Sequence, residues 1–221
     1  MLGLYREEYA QENGLLANLD KWCVVEWPDP LRDGYDVDIT EGKVCTVMHN
    51  VINAYYIGAV KCMNKMAARL KLPQYADADK LTKAFHEAFY LPEKKLFRDS
   101  VESDHISMPS NVFAWFYGLV PDVDAFKQEL LPRIREVRMS KVHFFETFPL
   151  LISLLRDGEE ELAFELLTDD GAWMNMLKEG ATRTFEGWGA AWKWNASLFH
   201  LTFSYGAAFL TDWPLKKIFV Y

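Results

Sequence analysis

The amino-acid sequence predicts an all-α fold, an α/α toroid or solenoid of helical hairpins, on three observations. Helical apolar periodicity dominates the 221 residues, strand signals are few, and the helical segments are of two kinds that alternate along the chain. One kind is amphipathic and keeps a wet face; the other is apolar nearly all round and must be buried. Their alternation describes an outer and an inner layer of helices.

Taken in order, a short helix from about Leu2 to Gln11 opens the chain, and a long loop follows in which Cys23-Val24-Val25-Glu26-Trp27 is an extended candidate. Residues 51–70 carry Ile52, Tyr55, Tyr56, Ala59, Val60, Met63, Ala67 and Leu70 on one side and Lys61, Lys65 and Arg69 on the other, and are placed with the inner set. Asp77 is a candidate cap for an outer helix with the stripe Leu81, Ala84, Phe85, Ala88 and Phe89. Lys95-Leu96-Phe97-Arg98-Asp99 is a second extended candidate, and residues 112–117 read as an inner helix. After the turn Leu119-Val120-Pro121-Asp122, the stripe Val123, Phe126, Leu130, Ile134 and Val137 marks an outer helix. Residues 144–155 read as inner. Behind Gly158, the acidic first turn Glu159-Glu160-Glu161 suits a helix N-terminus, and Leu162, Ala163, Leu166 and Leu167 form its stripe. Residues 198–210 read as a final inner helix. With no low-complexity linker to divide it, the chain is expected to be a single domain over residues 1–221.

Composition narrows the function classes. With 50% apolar, 15% aromatic and 25% charged residues, the chain is too apolar to stay disordered. Its net charge is 24 − 32 = −8 and it has no Lys/Arg-rich run, which argues against nucleic acid and anionic membranes as partners. No apolar stretch has the length of a membrane span, and the N-terminus has no export signal, so a cytoplasmic location is expected for the chain as written. Cys23, Cys45 and Cys62 are odd in number and lack metal-site spacing, so they read as unpaired thiols in a reducing compartment. Nucleotide loops, His-Glu-x-x-His and Gly-x-Ser-x-Gly are missing from the sequence, and no pattern requires a metal or cofactor.

What remains are aromatic and acidic clusters. Six of the eight Trp fall in two groups, Trp22 with Trp27, and Trp173, Trp188, Trp192 and Trp194. A Trp ring covers the C–H face of a pyranose while carboxylates take its hydroxyls, so this pairing is a carbohydrate signal; Trp173, in Trp173-Met174-Asn175-Met176-Leu177, reads instead as core. The most informative stretch is Gly180-Ala181-Thr182-Arg183-Thr184-Phe185-Glu186-Gly187-Trp188, an acid between aromatics in a glycine-rich loop.

This stretch resembles the Gly-Ala-Thr-Thr-x-Trp-Glu-x-Trp motif of bacterial α-L-rhamnosidases, the six-hairpin toroidal glycosidases. Ser197-Leu198-Phe199-His200 is similar to the family's Ser-Leu-x-His segment, and Asn111 to Leu119 to its Asn-x-x-Ala-x-x-x-Gly-Leu inner helix. Asp20-Lys21-Trp22 and Glu26-Trp27-Pro28 resemble its Asp-Trp loop. The resemblance implies inverting glycoside hydrolysis, in which one carboxylic acid protonates the leaving oxygen and a carboxylate roughly 6.5–9.5 Å away activates water. It assigns Glu186 as general base, His200 as a substrate ligand and Trp188 as a wall of the sugar pocket. Trp22 and Trp27 join them as substrate-binding candidates, and Glu26 is either a sugar ligand or a solvated loop acid.

The sequence departs from the family in three ways. Arg183 stands where the motif has Thr, and Phe185 where it has Trp. The family's general acid lies in an Arg-Asp-Glu-Arg-like motif upstream, and this chain has no such segment, so it is expected to be the second half of a catalytic domain and an incomplete toroid. Self-association or a missing N-terminal half would then cover exposed inner helices. Among other acids, Glu146 reads as a buried, hydrogen-bonded structural residue. Asp99, Glu102, Asp104 and His105 read as a solvated loop, and His49, His86 and His143 receive no role. The alternative to hydrolysis is an inactive carbohydrate-binding protein on the same scaffold.

Overall fold

Local sequence signals set the helix ends in the computed structural model, which describes residues 2–20, 23–27, 29–35, 45–192, 194–206 and 209. Eight α-helices run through the described residues: α1 Leu2–Tyr9, α2 Asn50–Arg69, α3 Ala78–Phe89, α4 Met108–Phe116, α5 Val123–Val137, α6 Phe144–Arg156, α7 Glu160–Leu167 and α8 Trp173–Lys178. Asp77 caps α3 by accepting from Lys80 N at 2.9 Å. Ser107 caps α4. Gly118 ends α4 at φ +63°, where Gly118 N donates to Trp115 O and Leu119 N to Ala114 O, the paired bonds of a Schellman turn. The one sheet among the described residues is the two-stranded antiparallel pair β1 (Tyr90–Leu91) and β2 (Leu96–Phe97), with Tyr90 opposite Phe97. The fold is all-α.

Contacts divide the chain into two compact units. The first comprises Met1–Val25 and Tyr35–Glu129. In it α2 packs against both α3 and α4, and Phe85, Phe89, Phe97, Trp115 and Phe126 form an aromatic core with centroid spacings of 5.0–6.3 Å. Asn53 on α2 clamps the loop after α1, accepting from Leu16 N at 2.7 Å and donating to Leu16 O at 3.0 Å. Asp99 has no exposed surface and accepts from Ser107 N, Ser107 Oγ and Ser110 Oγ at the start of α4, with His105 Nδ1 at 2.6 Å. Asp99 is therefore a buried hub and not part of a solvated loop, because the N-terminus of a helix supplies the donors a buried carboxylate needs; Glu102, Asp104 and His105 are exposed.

The second unit comprises Glu26–Gly34 and Leu130–Tyr221. Its core is α6, where Leu150, Leu151 and Leu154 have no exposed surface, with α7 packed on it. Trp188 lies between Trp173 and Phe203, at centroid distances of 4.8 and 3.9 Å.

Three expectations change. The apolar side of α2 is not the full stripe read from the sequence: Val51, Ala54, Ile57 and Val60 are buried whereas Leu70 is 69% exposed, since the helix packs on two neighbours along its first half. No strand forms at residues 23–27. The expected inner helix over 198–210 starts late: among the described residues the chain is irregular up to a 3-10 turn at Leu201–Phe203, with Leu198, Phe199 and Leu201 exposed, and helical backbone is found at Gly206 and Phe209; residues 207, 208 and 210 lie outside the described residues.

Candidate active site

The loop after α8 folds back on itself and fixes Glu186. Glu186 N donates to Ser197 O at 2.9 Å, and His200 N donates to Thr184 O at 2.8 Å, so residues 184–186 lie beside 197–200. Thr184 Oγ1 closes the pair by donating to His200 O. Within this frame the Glu186 side chain is half-buried. Its Oε1 accepts from Trp27 Nε1 at 2.8 Å and its Oε2 from Ser197 N at 2.9 Å. Two N–H donors on two oxygens suit a carboxylate rather than a carboxylic acid.

The other candidates divide. His200 is half-buried, its ring centred 5.7 Å from that of Phe144. Trp27 is half-buried and engages Glu186 directly. Trp22 lies outside the described residues. Trp188 has no exposed surface, and its Nε1 donates to Val142 O at 3.2 Å, so it supports the loop from below and offers no face to a sugar. Glu26 is 1% exposed; Oε1 accepts from Asp33 N at 2.6 Å and Oε2 faces Arg32 Nε at 3.6 Å. It is neither a solvated acid nor a group open to a ligand, because closing the 26–33 loop uses its carboxylate. Arg183 is exposed, with its guanidinium 4.9 Å from the Phe199 ring centre.

A second acid lies on α6. Glu146 has no exposed surface, and neither oxygen has a hydrogen-bond partner among the described residues, contrary to the expected hydrogen-bonded role. Burial pushes its carboxyl well above the usual range; Glu26 and Asp33 add to the shift and Arg133 opposes it. His143 Nε2 stands 3.5 Å from Glu146 Oε2, and burial lowers His143 to about 3. Each is pushed to its neutral form, so the contact is between a carboxylic acid and a neutral imidazole and not an ion pair.

A cavity of about 320 Å³ opens on the same loop, lined by Trp173, Met176, Leu177, Thr182, Arg183 and Thr184 among others. Glu186, Trp188 and His200 are not part of its wall. Among the described residues no group of three His, Cys, Asp or Glu could hold a metal ion, and no helix is long and apolar enough to cross a membrane.

The family model of the bacterial alpha-L-rhamnosidase six-hairpin glycosidase domain matches residues 4–212. The chain belongs to this family. No curated protein matches it. In this rhamnosidase-family domain the sequence motif drew attention to Glu186, Trp188 and Ser197–His200, and the fold brings those residues onto one loop system. What sequence reading missed is the role of the 26–34 segment: the signal was Trp27 itself, but a hydrogen bond across 159 positions has no local signature.

Proposed function

We propose that this chain is a glycoside hydrolase of the α-L-rhamnosidase type, acting with inversion, with Glu186 as general base. The observation that carries the reading is the Glu186 carboxylate, half-buried and held by Trp27 Nε1 and Ser197 N in the motif that matches the family's base. Glu186 takes a proton from a water whose oxygen attacks the anomeric carbon. The glycosidic bond breaks on the opposite face, and its oxygen leaves with a proton from a carboxylic acid. Glu146 and Glu26 do not suit that acid role, since side chains with 0% and 1% exposure cannot reach a leaving group. His200, whose backbone N and O are both bonded to Thr184, is the proposed donor to a sugar hydroxyl in this reading.

Hydrolysis of 4-nitrophenyl α-L-rhamnoside tests the reading, with Glu186→Gln alongside. Turnover that falls by roughly 10² or more in the variant, with the inverted sugar as first product by proton NMR, is the expected result. The second reading, a sugar-binding protein without catalysis, is favoured by the burial of Glu26 and Glu146, which leaves neither acid able to protonate a leaving group. Rhamnose binding by calorimetry with no turnover in either protein would select it.

A further inference from the structure

The segment Glu26–Gly34 carries Trp27 to Glu186, and it is fastened with more bonds than a surface loop requires. The Glu26 carboxylate closes it into a ring through Asp33 N at 2.6 Å and Arg32 Nε at 3.6 Å. Arg133 on α5 pairs with the Asp33 carboxylate through Nη2. Lys141, in the turn between α5 and α6, donates from Nζ to Arg32 O at 2.9 Å. These ties fall at or beside residues 26, 32 and 33, next to Trp27 at one end and across the ring from it at the other.

We infer that Glu26, Asp33, Arg133 and Lys141 form a clamp whose task is to hold the Trp27 indole on Glu186, making them positioning residues for the base. The inference rests on the reading of Glu186 as the base and goes beyond it by assigning a role to four residues outside the motif. Its logic is geometric. An indole has one donor on a rigid plane, so a small rotation of the segment breaks the 2.8 Å bond and releases Glu186 Oε1. A loop fixed only at its ends would permit that rotation; a ring closed by a buried carboxylate and tied to α5 and to the turn before α6 does not. At 1% exposure the Glu26 carboxylate needs partners, and Asp33 N and Arg32 are among those that satisfy it.

The test uses the whole chain and two readouts. The first is the indole ¹⁵N–¹H resonance of Trp27, assigned by its loss in Trp27→Phe. In the parent protein it is expected downfield, hydrogen-bonded to a carboxylate, and to move upfield in Glu186→Gln. Arg133→Ala and the near-isosteric Asp33→Asn should each move it the same way, and Arg133→Lys should restore part of the shift. The second readout is steady-state kinetics on the nitrophenyl rhamnoside, where the clamp variants should lower kcat roughly tenfold with KM within about twofold, as for a misplaced catalytic group. A Trp27 resonance unmoved in both clamp variants, with melting temperature alone reduced, would overturn the clamp and leave a merely structural role. If no protein turns over substrate, the function reading fails while the resonance still decides the clamp.

Discussion

At the scale of single residues, His143 and Glu146 face each other in neutral forms and give stability two opposite pH dependences. His143 drops from 6.5 to about 3 in the fold, so the unfolded chain binds more protons between those values. Its contribution is fully present above about 6.5 and is lost as pH falls towards about 3. His49, lowered to about 3 by burial beside Tyr35, acts in the same sense. Glu146 is raised above 4.5, so the folded chain binds the extra proton, and its contribution is present below about 4.5 and lost as pH rises. Each titration has a limiting slope of about 1.4 kcal/mol per pH unit. Glu146→Gln, which cannot ionise, should therefore gain stability relative to the parent as pH rises from 5 to 8. Melting temperatures across that range check it, and a difference that does not change with pH would sink the argument.

At the scale of elements, close packing between helices makes its own prediction. The Tyr117 ring at the end of α4 lies on Gly58 of α2 so closely that a Cβ there would stand 2.1 Å from Tyr117 Cδ1. Gly58→Ala should destabilise by about 1–3 kcal/mol through overpacking, read as a lower urea midpoint at unchanged slope. Elements of this kind show how far the sequence could be read. The stripes of α3 and α7 were legible because each buries one face: Leu81, Ala84, Phe85 and Phe89, and Leu162, Ala163, Leu166 and Leu167, are all buried. The burial of α4 and most of α6 was legible from their lack of a polar face. Leu70 misled because periodicity marks a side of a helix without saying how far along it the neighbours extend. At the candidate site, the motif pointed to Glu186 and His200, but the burial of Trp188 depends on contact with distant chain at Val142 O, and that of Glu26 on how its own loop closes on Asp33 N and Arg32. Asp99 was misread for the same reason, since its donors come from the next helix.

At the scale of the whole molecule, the six-hairpin family match covers residues 4–212 and so draws on both compact units. Leu198 at 53%, Phe199 at 59%, Leu201 at 72% and Trp194 at 95% exposure leave apolar side chains of the second unit in solvent. Self-association that covers them is the expected outcome in light scattering, reversed by Leu201→Asp; a monodisperse species of 25.6 kDa would count against it. The second unit is also discontinuous, since Glu26–Gly34 precedes the rest of it by almost a hundred residues of the first unit. Trp27 and Glu186 are 159 positions apart. At ribosomal speeds of about 5–20 residues per second, Trp27 therefore emerges roughly 8–30 s before the carboxylate it must meet. During that interval the nascent chain can complete its first unit and Glu26 can already close its own segment on Asp33 and Arg32, whereas the Trp27 indole keeps water as its partner until the later carboxylate arrives.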